Sequence, residues 1–312
     1  MCGPGRNNRI EHTVEEPDAE GMRVDLYVSH VLELCSRSQL PYYNLTVKLN
    51  GSPAKLSKKV KAGDRLVVNY TEPEPPEIGP EDIPLDILYE DDNVIVVNKP
   101  RGMVVHPAKG NYSGTLVQGL MHYCKDLAKN FNGESVRPGI VHRLDKDTTG
   151  VVIAAKNSTA HEALARQFRN RKTKKRYLAV VKGRPPEQDG RIEKNIERDR
   201  THRKRFMVTR HGGKRAVTRY RIRRVYDGYT LVMLSPFTGR THQLRVHMSW
   251  IGCPILGDPV YARRDKRFPD APLMLHARSL AVTLPGETEP RRFSAPVPED
   301  FKEMLARIEY SR

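Results

Sequence analysis

Asp145 is the residue of this sequence whose surroundings best suit chemistry. It lies in the stretch GIVHRLDKDTTGVVIAAKN, residues 139–157, between Arg143 and Lys146 and just before an apolar run. An aspartate beside an arginine is usually a structural salt bridge. The alternative is a reactive carboxylate, because an arginine that keeps a carboxylate ionised leaves it able to attack a sugar anomeric carbon or to accept a proton. The residue types alone leave both interpretations open.

Three features around Asp145 favour the reactive interpretation. It lies at the turn into a predicted strand, where a side chain can sit on the floor of a cavity. Gly139 and Gly150 bracket this turn, and we expect them to let the backbone approach a ligand closely. The segment FTGRTHQLRVH, residues 237–247, can supply a partner arginine. Asp147, two residues further on, is interpreted as a turn residue.

The sequence offers no second carboxylate of the kind that glycosidases place at a fixed separation from the first. We therefore expect a leaving group that needs little help from an acid, as uracil does when it leaves as a stabilised anion. His242 and His247 are five residues apart, which places them on different faces of a helix, so we do not expect them to share a metal.

Other well-known chemical motifs are missing from the sequence. It contains no HExxH, no GxSxG elbow, and no GxGxxG or Walker-type phosphate loop, so we predict neither a metal nor a nucleotide cofactor. The four cysteines are scattered without ligand spacing, and we expect them to be reduced thiols. They are Cys2, Cys35, Cys124 and Cys253.

The charge of the chain predicts a polyanionic partner. The 312 residues carry a formal net charge of +17, and residues 166–224 hold 23 Lys or Arg against 5 Asp or Glu. His202, Phe206 and Tyr220 interleave with these cations, and aromatic side chains among arginines favour RNA loops over duplex DNA. We expect no membrane partner, since no apolar run reaches about 18 residues. The N-terminus lacks an apolar signal segment, so a cytoplasmic location is expected.

The chain is predicted to have two modules. Residues 71–85 form a Pro-rich acidic linker, with a small module at 20–70 and a larger one at 86–312. The small module is predicted to hold a helix within MRVDLYVSHVLELC, a hairpin at Asn50-Gly51 and a final strand, RLVVNY.

The larger module is predicted to be α+β, with a mixed, mostly antiparallel sheet and a few helices. Asp227-Gly228 predicts a hairpin between two alternating segments. The helix in NSTAHEALARQFRNRKT is predicted to begin with a capping box, Thr159 to Glu162. A second helix, THQLRVHMSWIG, is predicted to end at Gly252.

Several long motifs of the larger module resemble the RluA-type family of pseudouridine synthases. They are HRLDKDTTGVVIAAK, LYEDDNVIVVNKPRGMVVHP, KKRYLAVVKG, GKRAVTRYRI and TGRTHQLRVHMSWIGCPILGDPVY. They occur in the family's order and cover nearly all of the module; Thr149 stands where serine is more usual. The small module resembles an S4 RNA-binding domain in RVDLYVS, SRSQL, VKLNG and KKVKAGDRL.

The resemblance implies roles for particular residues. Asp145 would be the catalytic aspartate, and Arg245 the arginine that keeps Asp145 ionised. Tyr177 would be the tyrosine that stacks on the target base, with help in proton removal at C5 as a further role. Arg143 would enter the RNA and fill the space left by a flipped nucleotide. The remaining RNA-contacting residues that we predict are His142, Arg240 and His242.

The family reaction is the isomerisation of uridine to pseudouridine, without cofactor or metal. The resemblance further implies a substrate in large-subunit ribosomal RNA, and we expect a monomer. Whether the aspartate attacks C1′ or removes a sugar proton stays open. Two other functions remain as alternatives: a non-catalytic RNA-binding protein on the same fold, and a glycosidase or N-glycosylase that would release free uracil.

Overall fold

The computed structural model describes residues 7–15, 21–35, 37, 40–71, 79–107, 111–127, 129–131, 137–199, 201–202 and 205–311. The chain divides into two compact units, residues 1–77 and 78–312. The division falls within the predicted linker, of which residues 72–78 lie outside the described ranges.

The N-terminal unit contains a four-stranded antiparallel sheet and one α-helix among its described residues. Its strands are β1 (Asn7–Thr13), β2 (Thr46–Leu49), β3 (Ser52–Pro53) and β4 (Arg65–Thr71), in the order β1-β4-β2-β3, and its helix is α1 (Val24–His30). A 3-10 turn covers Leu40–Tyr42. Asn50 and Gly51 have φ values of 52° and 82°, which suits the predicted hairpin turn between β2 and β3. Strand β1 precedes the predicted module and completes the sheet beside β4.

The larger unit is built on a ten-stranded sheet of order β10-β9-β11-β12-β8-β13-β7-β6-β5, with β14 paired to β13. Only the pairing of β13 with β7 is parallel among the described strands. The strands are β5 (Ile87–Glu90), β6 (Val94–Lys99), β7 (Thr149–Ala155), β8 (Lys174–Lys182), β9 (Asp189–Arg198), β10 (Phe206–Thr209), β11 (Lys214–Tyr226), β12 (Tyr229–Pro236), β13 (Leu275–Val282) and β14 (Arg291–Ser294).

Four α-helices of the described chain flank this sheet. They are α2 (Leu116–Tyr123), α3 (Ser158–Arg169), α4 (Gln243–Trp250) and α5 (Glu299–Tyr310), and a 3-10 turn covers Lys129–Phe131. The architecture confirms the predicted α+β class with its mixed, mostly antiparallel sheet. No helix in the described ranges is long and apolar enough to cross a membrane.

Strand β7 is buried on both faces, which explains its unbroken apolar sequence. Val152 and Ala154 lie in one core cluster with residues of α2, while Val151 and Ile153 lie in another with residues of α3. The strand therefore fixes the segment that precedes it, which carries Asp145, against the centre of the sheet.

The hairpin at Asp227-Gly228 is confirmed, because β11 and β12 pair directly across it. Helix α4 also ends as predicted, with Gly252 at φ 81° beyond its last turn. The predicted start of α3 is wrong. Asn157 caps this helix by accepting the Ala160 N–H at 2.8 Å, so the predicted capping-box residues lie inside the first turns.

The expected role of Gly139 and Gly150 is also wrong. A Cβ at Gly139 would lie 2.2 Å from the carbonyl oxygen of Ala155, and one at Gly150 would lie 2.3 Å from that of Ala277. Both glycines have positive φ, of 74° and 111°. Each glycine lets its own segment lie close to a neighbouring strand rather than to a ligand. The backbone of that strand occupies the space where a side chain would begin.

Candidate active site

The seven predicted site residues line one cleft of the larger unit, with a volume of about 520 Å³. The segment before β7 supplies three of them, β8 supplies one, and the segment around the start of α4 supplies the rest. In chain order they are His142, Arg143, Asp145, Tyr177, Arg240, His242 and Arg245.

The backbone around Asp145 is held by two cations from the end of β6 and the turn after it. The Lys99 ammonium, which is fully buried, donates to the carbonyl oxygen of Lys146 at 2.9 Å. Arg101 donates to that of Asp147 at 2.9 Å. The carbonyl groups next to Asp145 thus have fixed partners, and its side chain leaves a constrained turn.

Arg245 links Asp145 to a second, buried carboxylate. Its Nη1 donates to Asp145 Oδ2 at 3.2 Å, while its Nε and Nη2 donate to the two oxygens of Asp258 at 2.7 and 2.8 Å. The Asp258 side chain is 0% exposed and that of Asp145 is 21% exposed. The bidentate pair fixes the plane of the guanidinium, and one N–H of Nη1 points at the Asp145 carboxylate, which the cleft partly exposes.

Asp258 was not among the predicted site residues. It lies in GDPVY, within one of the motifs that carry the resemblance, yet nothing in its local sequence distinguishes it from a turn aspartate. Its Oδ1 also accepts the N–H groups of Val260 and Tyr261, at 2.9 and 3.1 Å. The signal that identifies it is its contact with Arg245, which only the folded chain shows.

The guanidinium of Arg245 stays protonated despite its burial. Burial by itself lowers the pKa of Arg245, but the hydrogen bonds and charge of Asp258, together with the charge of Asp145, outweigh it and raise that pKa above its ordinary value. The site therefore contains a permanent cation beside the exposed carboxylate.

Tyr177 presents a neutral phenol to the cleft. It lies in β8 opposite Leu234 of β12 and is half-buried. Burial, and secondarily the charge of Asp145, raise the pKa of Tyr177 above its ordinary value. The phenolate is therefore disfavoured. A neutral phenol is suited to stacking its ring on a base, and it is a poor base for proton removal.

His242 was predicted to contact RNA, and the structure places it close to Asp145. Its Nε2 is 3.9 Å from Asp145 Oδ2, and its Nδ1 is 2.8 Å from the hydroxyl of Tyr261. Burial lowers the pKa of His242, although the charge of Asp145 opposes the shift. The residue has φ 56°, in the left-handed region, at the cap of α4. Such a conformation is costly outside glycine and is held by the surrounding contacts.

His142 forms part of the cleft wall. Its Nε2 accepts the N–H of Ile153 at 3.0 Å, and its ring stacks on Phe168 with centroids 4.6 Å apart. Burial, with a smaller contribution from Lys175, lowers the pKa of His142 to about 3. The ring is thus a neutral, fixed surface.

The cleft rim is cationic. Arg143 is exposed, with its Nη1 3.5 Å from His106 Nε2, and Arg240 donates from Nε to the carbonyl oxygen of Arg215 at 3.2 Å. Arg169, Arg171 and Lys175 also line the cleft. This distribution of charge suits a phosphate backbone around the opening.

The described part of the chain shows no group of three or more His, Cys, Asp or Glu that could hold a metal ion. His247 is fully buried, with its Nδ1 2.9 Å from the Thr218 hydroxyl. Three cysteines are free thiols, Cys35, Cys124 and Cys253, while Cys2 lies outside the described residues.

Comparisons with known proteins identify the family. Residues 93–250 match the family model described as RNA pseudouridylate synthase. The chain is 44% identical over 298 residues to a ribosomal large subunit pseudouridine synthase D of Borreliella burgdorferi, covering 93% of this chain and 90% of the relative. It is 43% identical over 303 residues to an uncharacterized RNA pseudouridine synthase of Bacillus subtilis, covering 96% of this chain and 98% of the relative.

A solved structure points to the same family. The human RNA pseudouridylate synthase domain containing 1 is 28% identical, with a TM-score of 0.56, and the match covers 72% of this chain and 86% of the human one. The fold, the family model and these relatives show that the chain belongs to the RluA-type family of RNA pseudouridine synthases. It is an isomerase that acts on RNA.

Proposed function

We propose that this enzyme modifies uridines in large-subunit ribosomal RNA and that Asp145 is the carboxylate that reacts with the nucleotide. The observation that carries the assignment is the ion pair of Asp145 with Arg245 inside the cleft that Tyr177 also lines. Relatives that cover nearly the whole chain bear the name ribosomal large subunit pseudouridine synthase D, which supports the choice of RNA. Such a substrate implies a cytoplasmic location.

The chemistry assigned to Asp145 follows from its place in the cleft beside Arg245. Its carboxylate can attack C1′ of the ribose, or it can accept a proton from the sugar. In either route the N1–C1′ bond breaks, uracil leaves with the bonding electrons, and rotation of the ring presents C5. In the first route the new C5–C1′ bond displaces the Asp145 carboxylate from C1′; in the second, Asp145 returns the proton to the sugar as the C5–C1′ bond forms. The proton on C5 is then lost to solvent, and N1 takes up a proton.

The other cleft residues fit the remaining requirements of this reaction. A stacked base cannot reach Asp145, so the target nucleotide must leave the helix. In this proposal Arg143, which is exposed at the rim, occupies the vacated position with its planar guanidinium. The neutral Tyr177 ring can hold the free uracil by stacking while it turns. Arg240 and His242 line the opening, where they can contact the flanking backbone.

Replacing Asp145 tests the assignment. Asp145→Asn should abolish isomerisation while leaving RNA affinity within about twofold, because the amide keeps the shape but not the charge. Release of tritium from RNA labelled at uridine C5 measures the reaction, and filter binding measures affinity. Asp147→Asn is the matched control, two residues along the same turn.

Two outcomes would contradict the proposal in different ways. Asp145→Asn retaining more than a tenth of the wild-type rate would remove Asp145 from the chemistry. Wild-type enzyme that fails to form pseudouridine in ribosomal RNA transcripts, yet forms it in another RNA, would overturn the assigned substrate alone. Release of free uracil would favour an N-glycosylase.

We also propose that the N-terminal unit contacts RNA, as the S4-like sequence suggests. Four exposed lysines, Lys55, Lys58, Lys59 and Lys61, lie close together in the chain after β3. Replacing all four with alanine should reduce the slope of log affinity against log salt by up to about three, at roughly 0.7 per phosphate contact. An unchanged slope would show that this unit does not bind the RNA.

A further inference from the structure

A second cleft lies beside the catalytic one and shares no lining residue with it. Its volume is about 430 Å³, and it is formed by β9, β10, the start of β11 and the end of α4. The residues that line it are Glu193, Lys194, Asn195, Val208, Thr209, Arg210, Arg215 and Trp250.

Trp250 is the dominant surface of this cleft. It is the only tryptophan in the sequence and is 50% exposed. The ammonium of Lys194 lies over the ring, 4.5 Å from its centroid. Half of the residue remains accessible even so, which leaves aromatic surface for a stacking partner.

The charge of the cleft is positive. Glu193 is its one anion, and it is already paired with Arg191 at 2.6 Å and with the Nε of Arg215 at 2.7 Å. Lys194 and Arg210 add two further cations, and Arg210 is exposed. No described carboxylate forms an ion pair with either of these two cations. An exposed indole beside such cations is the combination that holds a base by stacking and its phosphate by charge.

Two connections tie this cleft to the catalytic one. Arg240, which lines the catalytic cleft, donates to the carbonyl oxygen of Arg215, which lines the second. Helix α4 joins them as well, since His242 caps its start and Trp250 is its last residue. Eight residues of α-helix span about 12 Å, a distance that a strand of a few nucleotides can bridge.

We propose that this second cleft binds an unpaired nucleotide that flanks the target uridine in the substrate RNA. Its base stacks on Trp250, and its phosphate lies against Arg210. The proposal rests on the enzyme's action on RNA and does not depend on the roles given to Asp145 or Tyr177. A protein partner on the same surface is the competing occupant.

The single tryptophan makes the proposal directly measurable. Oligoadenylate, which contains no uridine and so cannot react, should quench the intrinsic tryptophan fluorescence of the full-length enzyme in a saturable and salt-sensitive manner. Asp145→Asn should leave this quenching unchanged. Fluorescence that neither oligoadenylate nor substrate RNA alters would overturn the proposal and leave protein docking as the role of the cleft.

Variants separate this subsite from the catalytic cleft. Trp250→Ala should raise KM for substrate RNA at least about fivefold, the lower limit for losing one base–aromatic stack, with kcat within twofold. Trp250→Phe should restore most of the affinity, since it keeps an aromatic face. Arg210→Ala should weaken oligoadenylate quenching in the otherwise intact enzyme.

The matched controls lie on other parts of the unit. Tyr310→Ala removes an aromatic side chain that is 85% exposed at the end of α5, and Arg292→Ala removes an exposed cation from β14. Both should leave KM and quenching unchanged. If Trp250→Ala fails to fold, Arg210→Ala and the titration of the wild-type enzyme still test the subsite. An unchanged KM in Trp250→Ala, or unchanged quenching in Arg210→Ala, would refute it.

Discussion

Replacing Asp258 with asparagine tests whether a buried carboxylate positions the cleft arginine. Asp258 Oδ1 accepts three N–H groups, from Arg245, Val260 and Tyr261, and Oδ2 accepts the Nε–H of Arg245. An asparagine whose amide oxygen occupies the Oδ1 position keeps the first three bonds. Its NH₂ group then faces the Nε–H of Arg245, so one charge-assisted bond becomes a repulsive contact.

Two typical magnitudes bracket the expected cost. A hydrogen bond to a charged group contributes about 1.5–3 kcal/mol, and breaking a buried ion pair costs about 3–5 kcal/mol. Arg245 keeps Asp145 as a partner at 3.2 Å, so we expect a value between these two, about 2–4 kcal/mol, in the free energy of unfolding. Urea denaturation measures this quantity.

The effect on catalysis should exceed the effect on RNA binding. A guanidinium that keeps only one of its two bonds to residue 258 no longer holds the Asp145 carboxylate in one position, and misplacement by about 1 Å can cost on the order of 100-fold in rate. We therefore expect Asp258→Asn to lower kcat about 100-fold with KM within threefold. Tritium release from RNA labelled at uridine C5 provides both constants.

Asp265→Asn is a matched control for this prediction. Asp265 is also buried, accepts the N–H groups of Arg267 and Phe268 at 2.9 and 3.0 Å, and pairs with Lys182 at 2.8 Å. It should cost similar stability while leaving kcat within twofold. The reasoning would be refuted if Asp258→Asn kept the wild-type kcat, or if Asp265→Asn lost as much activity as Asp258→Asn.

Two further predictions concern stability. Gly150→Ala should lower the free energy of unfolding by several kcal/mol more than Gly183→Ala. A Cβ at position 150 would lie 2.3 Å from the Ala277 carbonyl oxygen, whereas nothing lies within 4 Å of a Cβ at position 183. Equal midpoints of urea denaturation for the two variants would contradict this. Acid should also destabilise the fold. Burial is the main cause that lowers the pKa of His106, His247 and His276 to about 4. Between the ordinary histidine pKa and pH about 4, the unfolded chain therefore binds more protons than the folded one. The contribution of these three histidines to stability is thus complete above pH about 6.5 and is lost towards pH 4. A Tm that is equal at pH 7.5 and 5 would be evidence against it, and His247→Gln should make the dependence shallower.

Much of the local structure could be predicted from short-range patterns. Asn50-Gly51 and Asp227-Gly228 each gave a hairpin, because such pairs adopt the backbone conformations that two-residue turns require. The start of α3 could not be fixed in this way. Asn157, Ser158 and Thr159 are all competent caps, and the choice depends on where the chain leaves β7.

The sequence by itself determined the family and the set of residues at the cleft. The motifs that surround Asp145, Tyr177 and Arg245 are long enough to identify these positions, and the structure places all of them in one cavity. The net charge of +17 likewise indicated a nucleic-acid partner without any coordinates.

Only the tertiary structure decided which partners these residues have. Asp145 and Arg245 are a hundred residues apart, and Arg245 contacts both Asp145 and Asp258 in a way that no local pattern encodes. The glycines beside Asp145 looked like ligand-binding positions, yet the carbonyl groups of adjacent strands occupy the space next to them. The physical reason is the same in each case: sequence patterns report the backbone conformation of neighbouring residues, whereas ion pairs and close strand packing depend on which distant segments the sheet brings together.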